Sequence, residues 1–194
     1  MCRRINGYDG AMAHVILGLL LLRPMSLYDL IRAFESGVSL FYSASSGSIK
    51  RALDGLREHG RIEVGHVGAR GRKVYRVTES GRAAFHEWMT GDMASGDTET
   101  AILSRLFFLG LAAPAERRRI VSRMEALITA DLARLQQVAD GFDRAEVPDE
   151  LAEVAAYQRV TLDYGIASHV FALEWVRSHV MDERTSSLLP RRPQ

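Results

Sequence analysis

The apolar positions of the first sixty residues recur in short stretches with helical spacing, separated by turn residues. The first stretch predicts a helix from Met12 to Arg23, which ends there because the residue before Pro24 is pushed out of the α region. Ser26 is the predicted N-cap of a second helix, with Asp29 three residues later as in a capping box. The apolar face of this second helix carries Leu27, Leu30, Ile31 and Phe34.

A third short helix is predicted to begin at a cap formed by Ser45 or Ser46 and to end at Gly60, a typical C′ residue. One face of this helix is apolar and would be buried against the first two helices. The apolar positions are Ile49, Ala52, Leu53 and Leu56.

The period of the pattern changes to two after Gly60, which predicts a β-hairpin over residues 62–77. Ile62, Val64 and His66 alternate with polar residues or glycine, and residues 67–73 are rich in glycine and cations. We call this predicted hairpin the wing. A fourth helix follows, capped by Thr78 and ending near Thr90.

The second half of the chain is predicted to be helical throughout, beyond a boundary at 91–97 that contains two glycines. Three helices are expected, over 98–110, 114–139 and 149–180. The last two are joined by a short loop and should form an antiparallel hairpin. One such hairpin leaves apolar surface uncovered, which a second copy of the chain would cover.

These elements predict a mainly α protein with a small β-hairpin, organised as an N-terminal winged helix-turn-helix and a C-terminal long-helix dimerisation domain. The predicted domains are 11–92 for DNA binding and 98–182 for dimerisation and effector response. Residues 1–10 and 185–194 are predicted to be disordered tails.

Charge is distributed unevenly although the net charge is only +1. Residues 1–92 hold 13 Lys and Arg against 9 Asp and Glu, whereas residues 93–194 hold 12 against 15. A basic half beside an acidic half is typical of a protein whose basic part meets a polyanion.

Other classes of protein are disfavoured by the sequence. No apolar run reaches the roughly 18 residues of a membrane span, and no cleavage site of a signal peptide follows the apolar run at 15–22. The single cysteine, Cys2, fits a reduced, cytoplasmic setting. No catalytic motif, cofactor motif or metal-ligand spacing is found, so we expect no enzyme activity, cofactor or metal.

A winged helix presents polar residues of its third helix to the major groove of DNA and a cationic wing to the backbone or the minor groove. In the third helix the residues off the apolar stripe that we expect to contact DNA are Ser46, Ser48, Lys50, Arg51 and Arg57. In the wing they are Arg70, Arg72 and Lys73. The alternative for each cation is a solvated surface charge.

Several spaced motifs resemble the PadR family of transcriptional regulators, in the order in which that family has them. They are Ile16-Leu-Gly-Leu-Leu, Pro24-Met-Ser-Leu-Tyr-Asp-Leu30, Ser46-Gly-Ser-Ile49, Gly60-Arg-Ile62, Arg72-Lys-Val-Tyr75 and Thr78-Glu-Ser-Gly81. The helical second half is similar to that of members with the larger dimerisation domain. The resemblance implies a dimeric DNA-binding regulator.

The chain departs from the family pattern directly after Ile49. Members carry Tyr-Pro there, whereas this chain has Lys50-Arg51, so the family's tyrosine contact to DNA cannot be transferred. Two adjacent cations are expected to replace it. Tyr28 is retained in the second helix, where a phosphate contact and a packing role are both open.

Four aromatic residues are candidate contacts for a small planar or aromatic effector, by similarity to PadR relatives that bind such molecules. The alternative is that they fill the core and the interfaces. They are Trp88, Phe107, Tyr164 and Trp175.

The sequence therefore predicts a sequence-specific regulator, a repressor, that binds a pseudo-palindromic operator in double-stranded DNA as a homodimer and is released by an effector. The alternative is a winged-helix module that docks a protein partner and has no operator of its own. A docking surface would favour exposed apolar anchors over the predicted cations.

Overall fold

The computed structural model describes residues 7–67, 71–93 and 97–180, and it divides the chain into two compact units. Unit 1 comprises Met1–Asp92 and Glu99–Ala113, and unit 2 comprises Met93–Thr98 and Pro114–Gln194. The predicted domain boundary at 91–97 is thus followed by a helical segment, residues 99–113, that belongs to unit 1.

The first helix, α1 (Gly7–Leu22), is the central element of unit 1. It packs against the second, third and fourth helices and against the sheet, so it is apolar on nearly all sides. The helix begins before the predicted Met12, within the segment predicted as a tail. This extension includes Gly7 and Gly10, and each glycine costs a helix only about 1 kcal/mol, which the rest of the helix can offset.

The segment after α1 forms a two-residue strand, β1 (Met25–Ser26), and the helix α2 (Leu27–Ser36). The predicted capping box is confirmed: the Asp29 amide donates to Ser26 Oγ, and the Ser26 amide donates to the Asp29 carboxylate at 2.9 Å. The strand was not predicted because two residues carry no periodicity.

The third helix, α3 (Ser46–Glu58), ends at His59 in a way that depends on Gly60. Gly60 has a positive φ of 65°. Its amide donates to the Arg57 carbonyl, and the Arg61 amide donates to the Leu56 carbonyl at 2.9 Å. This pair of bonds is a Schellman motif, so the predicted glycine stop is confirmed.

The wing consists of β2 (Ile62–Val67) and β3 (Lys73–Val77), and β1 joins it in an antiparallel sheet of order β1-β3-β2. Only Ile62 of β2 is buried; Val64 and His66 are exposed, although they alternate with polar residues. The pairing register shifts between Val64 and His66. The outer part of the hairpin therefore has no apolar layer to pack against.

The fourth helix, α4 (Glu79–Thr90), begins at its predicted cap, because Thr78 Oγ1 accepts from the Gly81 amide. A Cβ atom at Gly81 would lie 2.0 Å from the Arg61 carbonyl oxygen. Only glycine permits this close approach between α4 and the start of β2.

The fifth helix, α5 (Thr98–Phe107), is followed by a 3₁₀ turn at Leu109–Leu111. Phe108 between them is buried against α1, where a Cβ atom at Gly18 would lie 2.7 Å from its ring. This contact explains why residues 99–113 belong to unit 1.

Unit 2 is an antiparallel hairpin of α6 (Pro114–Asp143) and α7 (Ala152–His179), with a 3₁₀ turn at Asp149–Leu151. Pairs along the two helices fix the direction: Arg159 Nε lies 2.7 Å from Asp143 Oδ1 at the loop end, and Arg177 Nε lies 3.8 Å from Glu125 Oε2 at the far end. The predicted hairpin is confirmed.

The buried face of α6 includes a charged residue in the second half of the helix. Val138 is exposed and Ala139 is buried, and Asp131 is buried although it is charged. The hydroxyl of Thr98 donates to the Asp131 carboxylate, which Arg134 also contacts at 3.0 Å. These bonds lower the pKa of Asp131 and satisfy its charge.

Several large apolar side chains of α7 are exposed within the chain, and Val176 is the one residue of this helix that is buried. Among the residues that the structure describes, no helix is long and apolar enough to cross a membrane.

Candidate nucleic-acid interface

The exposed face of α3 is set by its apolar face. Ile49, Leu53 and Leu56 are buried, and the helix packs against α1 and α2. At about 100° per residue, the positions between these three must point away from the core. The predicted DNA contacts of α3 are accordingly exposed or partly exposed.

The two predicted serines differ in availability. Ser48 is tied to the cap: its amide donates to Ser45 Oγ at 3.2 Å, and its hydroxyl donates to the Ser45 carbonyl at 2.7 Å. Ser46 is exposed in the first turn. Ser46 is therefore the more available hydroxyl at this end of the helix.

Asp54 forms ion pairs with two of the three cations of α3. Lys50 Nζ lies 2.6 Å from Asp54 Oδ2, and Arg57 Nη2 lies 3.9 Å from Asp54 Oδ1. The hydrogen bond from Lys50 is the main cause that lowers the pKa of Asp54, and the charges of Arg57 and Lys73 add to it. Lys73 begins β3 next to the turn of the wing, so the wing is close enough to act on the same carboxylate.

Arg51 is the third cation of α3, and it forms no ion pair with a carboxylate of the described residues. It is exposed, and within the described part of the chain it has no ion pair. Its guanidinium is therefore free to meet a ligand.

The wing places its cations at the start of β3. Gly71 adopts a φ of 75°, a left-handed conformation that suits the turn. Arg72 is exposed, and its Nη2 lies 3.4 Å from Asp29 Oδ2 at the N-terminus of α2. Lys73 is exposed. The prediction for Arg70 lies outside the described residues.

Tyr28 lies in the first turn of α2 and is 61% exposed. The guanidinium of Arg32 lies 5.9 Å from the centre of its ring. Exposure leaves the hydroxyl accessible to a phosphate, so the predicted contact stays a prediction.

Trp88 is engaged within unit 1. The His14 ring stacks on it with centroids 5.2 Å apart, and the Arg105 guanidinium lies 4.6 Å from the ring centre. Arg105 is buried and donates to the carbonyls of Trp88 and Ala101. Burial lowers the pKa of Arg105 to about 10 and that of His14 to about 4. A planar effector would have to displace one of these groups to stack on the indole.

Phe107 is 45% exposed, and its ring contacts Phe41 and Phe108. Phe108 in turn contacts Phe85, which contacts Trp88. The two predicted aromatics of unit 1 therefore belong to one chain of rings and do not face each other across a cavity.

The two predicted aromatics of unit 2 lie on α7 but do not share a site. They are eleven residues apart, which corresponds to about 16 Å along a helix. Tyr164 is 76% exposed, whereas Trp175 stacks on His179 with centroids 5.0 Å apart.

An open cleft of about 300 Å³ lies in unit 1, and none of the four predicted effector contacts lines it. It is lined by Ser39, Leu40, Phe41, Tyr42, Ser43, Glu99 and Thr100. Within the described ranges, no group of three or more His, Cys, Asp and Glu side chains could hold a metal ion.

Sequence reasoning missed the acidic residues that hold the cations. The spacing of Lys50, Asp54 and Arg57 on one helix carries a signal for such pairing, since residues three and four apart are neighbours. No local signal links Asp29 to Arg72, which are 43 positions apart.

Comparison with known proteins places these elements in a family. Residues 16–87 match the model of the Transcriptional regulator PadR-like family, and residues 100–179 match Virulence activator alpha C-term. The chain is 24% identical to the Mycobacterium tuberculosis protein named Probable transcriptional regulator Rv1176c, over 94% of this chain and 100% of that protein.

Three solved structures are similar to this chain. Bacillus subtilis PadR in complex with operator DNA is 21% identical, covering 86% of this chain and 94% of that chain, with a TM-score of 0.40. BC1756 from Bacillus cereus is 23% identical, covering 90% and 99%, also at 0.40. The Vibrio cholerae virulence activator AphA is 21% identical, covering 86% and 94%, again at 0.40.

The family match spans α1 to α4 and the wing, the elements that carry the motifs quoted from the sequence. The chain thus carries a winged-helix domain of the PadR-like family of transcriptional regulators over residues 16–87, as its sequence predicts, followed by a region that matches Virulence activator alpha C-term.

Proposed function

We propose that this PadR-like regulator binds double-stranded DNA in a sequence-specific manner through α3 and the wing. One observation carries the proposal: cations of two different elements share one exposed surface, since Lys50, Arg57 and Lys73 all act on the carboxylate of Asp54. A helix that presents cations beside a cationic hairpin fits the major groove and the adjoining backbone.

The two elements have different roles in this proposal. Arg51 and Lys50 lie on the exposed face of α3 and reach base edges, where an arginine or lysine pairs best with guanine. Arg72 and Lys73 of the wing contact phosphates or enter the minor groove. Ser46 and Tyr28 add neutral contacts to the backbone.

The protein acts as a homodimer through α7. Large apolar side chains at spacings of three and four residues leave a stripe on this helix without cover: Tyr157 is 70% exposed, Val160 62%, Tyr164 76% and Phe171 67%. Such a stripe is the pattern of a helix seam, and a second copy of α7 would cover it. Two copies of α3 would then contact half-sites about 34–36 Å apart on a pseudo-palindromic operator.

Regulation is by repression, through occupancy of the operator, with release by a planar or aromatic effector. An effector can shift the equilibrium only if it binds the DNA-competent and the released conformations with different affinity. Phe107 and Tyr164 are the most accessible of the four predicted contacts, because the rings of Trp88 and Trp175 are already stacked.

The experiment is enrichment of bound sequences from random duplexes, followed by a salt titration on the enriched duplex. We expect an inverted repeat with half-sites about 10 base pairs apart, and an affinity that falls steeply with salt because phosphates are neutralised. No enrichment, together with binding that is insensitive to salt, would favour the docking module without an operator.

A further inference from the structure

We propose that Asp54 is a specificity-determining residue that lowers the affinity for DNA of arbitrary sequence more than the affinity for the operator. The inference rests on the proposed function and concerns a residue outside the predicted contacts. It follows from the position of a carboxylate in the middle of the surface that α3 and the wing form.

Both carboxylate oxygens of Asp54 are engaged by cations that would otherwise serve phosphates. Oδ2 accepts from Lys50 at 2.6 Å, and Oδ1 lies 3.9 Å from Arg57 Nη2. An aspartate is ionised at neutral pH, and these cations lower the pKa of Asp54 further, so the surface carries a permanent negative charge between its positive ones.

Helix stability alone is a weak reason for this arrangement. The side chains of Lys50 and Asp54 are 62% and 35% exposed, and pairs with such exposure contribute little to stability because water screens them. The lysine is also N-terminal to the aspartate, which is the less favourable order in a helix. A carboxylate that faces a polyanion, by contrast, costs affinity on every sequence unless that sequence compensates.

The operator can compensate and arbitrary DNA cannot. Binding to arbitrary DNA depends on cations that neutralise phosphates, and Asp54 withholds Lys50 and Arg57 from that role. In the major groove of the operator, a freed carboxylate can accept a hydrogen bond from the amino group of a cytosine, while Lys50 turns to a guanine. Asp54 therefore converts a nonspecific basic surface into a selective one.

The test is Asp54→Asn, which keeps the shape and removes the charge, measured on the enriched operator and on a scrambled duplex of equal length. We expect affinity for the scrambled duplex to rise about tenfold, with a steeper salt dependence, because cations are released. Affinity for the operator should change less or fall. Asp54→Glu, which keeps the carboxylate, should retain most of the discrimination.

The matched control is Asp140→Asn, which makes the same change in net charge at an exposed position of α6. Equal changes on both duplexes, or changes no larger than those of the control, would overturn the inference. Asp54→Ser provides a second neutral variant if the asparagine is poorly folded by circular dichroism. A wild-type protein that binds neither duplex would instead refute the proposed function, so the two failures are distinguishable.

Discussion

Arg72 in the turn of the wing donates to the carboxylate of Asp29 in the first turn of α2, with 3.4 Å between Nη2 and Oδ2. The same carboxylate accepts from the amide and the hydroxyl of Ser26. One side chain thus caps α2 and ties the wing to the helical part of unit 1.

Asp29→Ala should lower the free energy of unfolding by about 1 kcal/mol at pH 7, since it removes the capping box. The Ser26 bonds lower the pKa of Asp29 in the folded state, so this stabilisation is present above about pH 4 and is lost as the pH falls through the folded value. Urea unfolding at pH 7 and pH 3 measures it. Glu35→Ala, at an exposed position of the same helix, is the control; an equal loss in both variants would contradict the account.

His14 predicts a second pH dependence. Burial against Trp88, with Arg61 and Arg105 adding repulsion, lowers its pKa from 6.5 to about 4. As the pH falls from 6.5 to 4, His14 is therefore protonated in the unfolded state but stays neutral in the folded state. The free energy of unfolding should decrease over this range by up to about 3 kcal/mol.

His14→Gln should remove this loss, as measured by denaturant unfolding across that pH range. The exposed His66 offers the control His66→Gln, which should leave the wild-type profile in place. A profile unchanged in His14→Gln would show that another group causes the dependence.

Gly81→Ala should destabilise unit 1 by about 3 kcal/mol, because the added Cβ meets the backbone carbonyl of Arg61 at 2.0 Å and backbone cannot yield easily. Gly55→Ala in α3 is the matched control: no atom lies within 4 Å of its Cβ position, so it should stabilise by up to about 1 kcal/mol. Thermal unfolding distinguishes the two, and similar melting temperatures would refute the close approach.

Much of the fold is predictable because its signals are local. The capping box at Ser26, the cap at Thr78 and the glycine stop at Gly60 each depend on residues within six positions, and each is confirmed. A change of period from helical to two is enough to locate the wing.

Contacts between distant segments could not be predicted in the same way. Nothing near Phe108 in sequence indicates that it packs on Gly18, which assigns residues 99–113 to unit 1. The candidate site shows the same difference between local and distant signals. The exposure of the cations of α3 could be predicted from the apolar face of that helix. The Asp29–Arg72 pair could not, because it depends on how the wing folds back onto α2.

Tyr164→Glu should convert the proposed dimer into a monomer, because it puts a charge in the centre of the exposed apolar stripe of α7. Sedimentation velocity at micromolar concentration measures the change. Gln158→Glu adds the same charge at an exposed position beside the stripe and should remain dimeric. A wild-type protein that is already monomeric would contradict the proposed interface.

The most direct test of the central claim is the affinity of Arg51→Ala for the enriched operator and for a scrambled duplex. Arg51 is the exposed cation of α3 that no carboxylate holds among the described residues, so its loss should remove a base contact worth about 1–3 kcal/mol. The account predicts a fall of about 5- to 150-fold on the operator and a much smaller change on scrambled DNA. Arg82→Ala, at an exposed position of α4, should change neither. Unchanged operator affinity in Arg51→Ala would show that this face of α3 does not contact DNA.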